Sequence, residues 1–239
     1  NVIANANGNI ATIGDVTAQT GKAKLNSKGG SVNTQNVTAG QAVDIDAQQD
    51  ITANGNLTSN NGEITLDARS GSITTQGTVN ALNNVIANAN GDINTIGDVT
   101  AANGKAKLNS STGNVNTGNV TANNDVDIDA ANNITASGNL TSTNANVDLD
   151  AGGSITTSGE VKAQQNVEYN AKGSITTKGI INSTAGNIHL QTDAAQGDIT
   201  FGGDVTAEHG NINIDVLQNG NVTDNDNKFT ALGDKGAIN

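Results

Sequence analysis

The chain has 239 residues, a formal net charge of −12 and an apolar content of 34%, which is too little for a conventional two-layer core. Its 11 Lys and Arg residues form no basic cluster, so it has no electrostatic footprint for nucleic acid or an anionic membrane. The absence of cysteine excludes disulfides and thiolate metal sites, and no apolar run is long enough for membrane insertion.

The first eight residues, Asn1 to Gly8, return at Asn84 to Gly91, and the Gly21 segment GKAKLNS returns at Gly104, which sets a long period of 83 residues. A shorter period emerges when Val2, Ala23, Val43, Ile64, Val85, Ala106, Val126, Val147, Val167, Ile188 and Ile212 are aligned. Successive spacings are then 20 or 21 residues until a final 24. Each unit holds three short runs of alternating apolar and polar residues, exemplified by Val43 to Ala47, Ile73 to Thr75 and Val99 to Ala101. Glycine and asparagine separate the runs, as at Gly71, Gly77 and Asn90-Gly91, where sharp turns often need positive φ.

Strands this short cannot bury a face alone, but stacked units pair equivalent strands in parallel and gather every inward Val, Ile and Leu into a continuous column. The expected fold is all-β: a parallel β-helix, or β-solenoid, with three short strands per coil and about eleven coils of 20–21 residues. It is read as a single segment over 1–239, with a four-coil block at 1–83 duplicated at 84–165 and more divergent coils at 166–239. Because Asn1 and Asn239 fall inside repeats, the chain is expected to be a piece of a longer protein.

An outward column runs Asn5, Asn26, Asp46, Asp67, Asn88, Asn109, Asp129, Asp150, Asn170, Gln191 and Asp215, and its stacked amides are expected to hydrogen-bond along the rod. Beside it, Lys24 falls next to Asp44 and Lys107 next to Asp127. The densest charge is Asp127, Asp129, Asp148, Asp150 and Glu168, outward on three successive coils and roughly 5 to 7 Å apart. A solvated acidic face explains this cluster, and the competing expectation is a weak surface calcium site; no other cofactor is expected.

Eight N-x-S/T sequons begin at Asn36, Asn56, Asn109, Asn119, Asn133, Asn139, Asn182 and Asn221. A repeat with Asn at a turn and Thr on the next strand generates such sequons automatically. Threonine columns, one through Thr52, Thr74, Thr135, Thr156 and Thr176 and another through Thr17, Thr38, Thr58, Thr100, Thr121 and Thr141, raise an ice-binding alternative. They fall on different strands and are interrupted by Asn33, Asn94 and Asn116, so plain β-propensity accounts for them. Enzymes built on β-helices carry clefts lined by long loops. Here the turns are short and His189 and His209 have no evident partners, so no catalysis is expected.

Coils reading G-x-I-x-T-x-G-x-V-x-A and then V-x-I-x-A, as at Gly91 to Ala101 and Val126 to Ala130, resemble the repeat region of filamentous haemagglutinin-like two-partner secretion exoproteins over nearly the whole chain. The resemblance implies a right-handed β-helix, export by a dedicated outer-membrane transporter of Gram-negative bacteria, and a secreted, cell-surface location. It implies the shaft of an adhesin or of a contact-dependent toxin carrier, which meets a host or neighbouring cell through other parts of the protein. Some adhesins of this kind are N-glycosylated before export. The uncapped coil ends add an expectation of end-to-end self-association.

Overall fold

The computed structural model describes residues 1–233 and 236–239. Its 33 strands form three parallel sheets of eleven, each sheet taking every third strand in chain order. The chain is therefore a β-solenoid of about eleven turns. No helix occurs among the described residues. With parallel strands ~4.8 Å apart, the stack is about 50 Å long. After the last strand, Phe229–Ala231, Ile238 bridges back to Ile212, so the chain starts on a further coil.

The first sheet carries five-residue strands, and its register joins Val2 to Ala23, Ala23 to Val43 and onward in single-coil steps to Ile212. Alternation does the sorting: in Val126–Ala130, Val126, Ile128 and Ala130 face inward while Asp127 and Asp129 face out. A slip of one residue would exchange the two sets, which makes the register steep in energy. Each buried Ile or Leu contributes roughly 1.5–3 kcal/mol.

The core is not wholly apolar, because some strands end in an inward Ser or Thr. Ser27 Oγ donates to the Gly8 carbonyl at 2.7 Å and accepts from the Gly30 N–H at 3.0 Å. Ser110, its counterpart one block later, repeats both bonds with Gly91 and Gly113 at the same distances. These hydroxyls close the turn from inside and satisfy backbone groups that the sheets cannot reach. The Thr95 and Thr117 hydroxyls pair at 2.7 Å, whereas Thr75 and Thr177 hold buried hydroxyls without a partner.

A second polar line runs the length of the rod at the residue just before each second-sheet strand. The backbone N–H there donates to the side-chain oxygen of the equivalent residue one coil earlier. Ten such rungs, at 2.7–3.2 Å, link Asn9, Ser31, Asp50, Ser72, Asp92, Asn114, Asn133, Ser154, Ser174, Asp198 and Asn221 without a break. The expected ladder in the outward Asn/Asp column of the first sheet is absent among the described residues except for Asn26 and Asn5 at 3.4 Å. Short side chains at a turn lie parallel to the rod and meet the next turn, while those on the open strand face project into water.

Glycine serves a purpose other than the expected one. No described glycine has positive φ; only Asn225 and Asp226 do. The constraint is close approach between stacked turns: a Cβ on Gly77 would lie 2.6 Å from the Gly55 carbonyl carbon, and one on Gly97 2.6 Å from that of Gly77.

The divergent coils accommodate larger side chains. Tyr169 is fully buried in the column otherwise held by Leu149 and Leu190, and Phe201 meets Phe229 edge-on with centroids 4.9 Å apart. Between Thr192 and Ile199 the turn lengthens to six residues, which absorbs the wider spacing seen in the sequence.

Candidate functional site: the acidic face

The outward side of the first sheet concentrates the charge. Register places Asp127 beside Asp148, Asp148 beside Glu168 and Asp129 beside Asp150, so the five predicted carboxylates share one patch over three coils. They are not equivalent. Lys107, one coil earlier, places its Nζ 2.7 Å from Asp127 Oδ2 and 2.6 Å from Asp129 Oδ2. Burial works to lower this ammonium, but hydrogen bonds to the two aspartates outweigh it and hold it above its usual value. The sequence pairs Lys107 with Asp127 alone; the lysine stem is long enough to serve both.

Asp148 has no such partner. It is half-buried, and one of its carboxylate oxygens is buried without a hydrogen bond. Burial first, then the charges of Asp150, Glu168, Asp127 and Asp129, push its carboxyl from 3.8 up to about 7. Glu168 accepts from Asn170 at 3.3 Å and lies 3.9 Å from His189 Nδ1, while His189 Nε2 stands 2.9 Å from Asp215. His189 therefore does have partners, bracketed by carboxylates of the coils before and after it. Among the described residues, no three His, Asp or Glu side chains are arranged to hold a metal ion.

The first block holds the same site in a different state. Lys24 bridges Asp44 and Asp46 as Lys107 bridges Asp127 and Asp129. Arg69 then places its guanidinium within 4.0 Å of Asp46 and 3.8 Å of Asp67. One block later, Asp46 and Asp67 correspond to Asp129 and Asp150, Thr65 to Asp148, and Arg69 to Gly152. Lys28 and Gln48 likewise correspond to Ser111 and Ala131. Three long side chains over the turn become three small ones.

The consequence is an open groove of about 680 Å³ along the rod, with Ser111, Ala131 and Gly152 on one side and Asp129 and Asp150 on the other. Its floor includes Ala130 and Ala151, each 6% exposed, where Ala47 and Ala68 in the first block are fully covered. A Cβ on Gly152 would run into the Ala131 carbonyl oxygen, so this shortened turn admits no side chain there.

The sequon asparagines are largely structural rungs. Asn36, Asn56, Asn119, Asn133 and Asn139 each accept a backbone N–H of the next coil at 2.7–2.9 Å. The Nδ2 groups of Asn36, Asn119 and Asn221 donate to Asp15, Asp98 and Asp198. Asn109 stands on the open first sheet between Asn88 and Asp129, and Asn182 lies on the third sheet with its amide oxygen buried. The two threonine columns lie on the second and third sheets, as their strands require.

A scan against protein-family models gives no match, and neither curated proteins nor solved structures contain a match to this chain.

Proposed function

We propose that the chain is a structural shaft of a secreted bacterial surface protein, an adhesin or toxin carrier that holds a distal domain away from the cell. What supports this reading is the continuity of the rod: three sheets and a ten-rung polar line run through the described coils with a nearly constant repeat. Each coil pairs with its neighbours in all three sheets, so the array is additive in length. The repeat's resemblance to two-partner secretion exoproteins supplies the further proposals of transporter-mediated export and a cell-surface location. Catalysis has no place in this reading, and calcium, ice binding and end-to-end association are not required by it.

The test uses the duplication. Deleting one four-coil block from the protein displayed on cells should leave the remaining coils folded and bring a terminal reporter about 19 Å closer to the surface, at ~4.8 Å per coil. Unfolding of the shortened rod, or an unchanged reporter height, would count against a shaft. So would specific binding of host cells or glycans by the chain, since the rod itself would then be the adhesive element in place of a distal domain.

A further inference from the structure

The two blocks provide an internal comparison at one face. Consider the first-sheet strand and the turn residue after it in three successive coils. In the first block these positions hold Lys24, Lys28 and Arg69 together with Asp44, Asp46 and Asp67, three cations and three anions. At the matching positions of the second block, Lys107 alone faces Asp127, Asp129, Asp148 and Asp150, one against four. The surface has moved from neutral to −3 by changes at three positions, Lys28 to Ser111, Thr65 to Asp148 and Arg69 to Gly152, and the first and last of these, with Gln48 to Ala131, open the groove.

We propose that this groove is a docking site for an extended basic peptide segment of a partner protein, with an arginine guanidinium placed by Asp129 and Asp150 as that of Arg69 is placed by Asp46 and Asp67. The inference is independent of the shaft reading.

Three observations favour this occupant. The first block shows these positions holding a guanidinium, supplied there in cis. The groove offers Ala130 and Ala151 on its floor and Ala131 on its wall, against which the aliphatic stem of an arginine or lysine lies while its head reaches the acids. The carboxylates are strung along the rod and do not converge on a point. That arrangement suits planar, forked guanidinium donors better than a divalent ion needing six to eight oxygens around it. Lys172, one coil beyond Gly152 in the groove, is in no ion pair among the described residues; it sets a positive charge between Asp150 and the Asp193 of the following coil.

The experiment measures anisotropy of a fluorescein-labelled Gly-Arg-Gly-Gly-Arg-Gly peptide titrated with the whole chain at low salt. Saturable binding is expected, weakened about fivefold or more by Asp150→Asn and changed less than about twofold by Asp67→Asn in the first block. Asn occupies the matching column at Asn88 and Asn170, so Asp150→Asn keeps the fold, which circular dichroism verifies. Installing the first block's side chains through Ser111→Lys with Ala131→Gln should close the groove and lower affinity by a similar factor, whereas Lys172→Gln should raise it. No saturable binding, or equal loss with Asp67→Asn and Asp150→Asn, would overturn the proposal. So would competition by calcium at about 1 mM that disappears in Asp150→Asn, since the cluster would then be a cation site.

Discussion

Asp148 is where the rod's own stability should respond to pH, and Asp148→Thr isolates the effect. Threonine is the residue at the matching position of the first block, Thr65, so the change copies a side chain that the fold already carries there. In the folded chain the Asp148 carboxyl is carried from 3.8 to about 7. Between those values the folded state holds a proton that the unfolded chain has released, so stability falls as pH rises through this window. The penalty is complete above about pH 7. At full weight the displacement corresponds to ~4 kcal/mol. Because the group is only half-buried and solvent screens its neighbours, about 2 kcal/mol is the realistic share. For a chain of this size that is roughly 4 to 8 °C in melting temperature. Thermal melts of both chains by far-UV circular dichroism, from about pH 4 to about pH 8, should show the variant gaining on the parent as pH rises. Threonine's β-propensity adds a constant offset, so the change of the gap with pH is the diagnostic quantity. Parallel curves would refute the account of Asp148.

The other predictions use the same internal controls. Lys107→Met should cost about 1–2 kcal/mol and more than Lys24→Met, because Arg69 still stands near Asp46 when Lys24 is gone; about 1 M salt should shrink the difference in denaturant midpoints. The Lys107 contribution should persist to alkaline pH and disappear only as the raised ammonium titrates above 10.5. Asn133→Ala should cost about 1–2 kcal/mol by leaving the Ser154 N–H without its acceptor. Asn109→Ala, which removes no rung, should stay within about 0.5 kcal/mol. Equal losses in chemical denaturation would show that the turn line carries no special weight.

The stacking of Val2, Ala23, Val43 and their successors was legible in the sequence because strand alternation and the 20- or 21-residue repeat reinforce one another, and the observed register follows that alignment. The turns were harder. Asn, Asp and Ser before the second strand look like ordinary turn formers, and only three-dimensional stacking turns them into acceptors for the next coil. Gly77 and Gly97 suggest positive φ when viewed singly, yet they answer to the turn beneath them. At the acidic face, the five carboxylates follow from alternation, but Lys107 reaching Asp129 and His189 reaching Asp215 are diagonal contacts that alignment of columns does not display. The groove did leave a trace in the sequence: the replacement of Lys28, Gln48 and Arg69 by Ser111, Ala131 and Gly152 across the 83-residue period. Its meaning depends on the Ala130 and Ala151 surface those side chains would cover.

The chain contains no cysteine, so pairs can be introduced without background. Thr38, Thr121 and Thr206 are outward residues of the third sheet, four and eight coils apart by register. Spin labels at Thr38→Cys with Thr121→Cys, and at Thr38→Cys with Thr206→Cys, should give narrow dipolar distances near ~19 Å and ~38 Å, in proportion to coil number at ~4.8 Å per coil. Broad distributions, or a second distance that does not double the first, would contradict a continuous stacked rod.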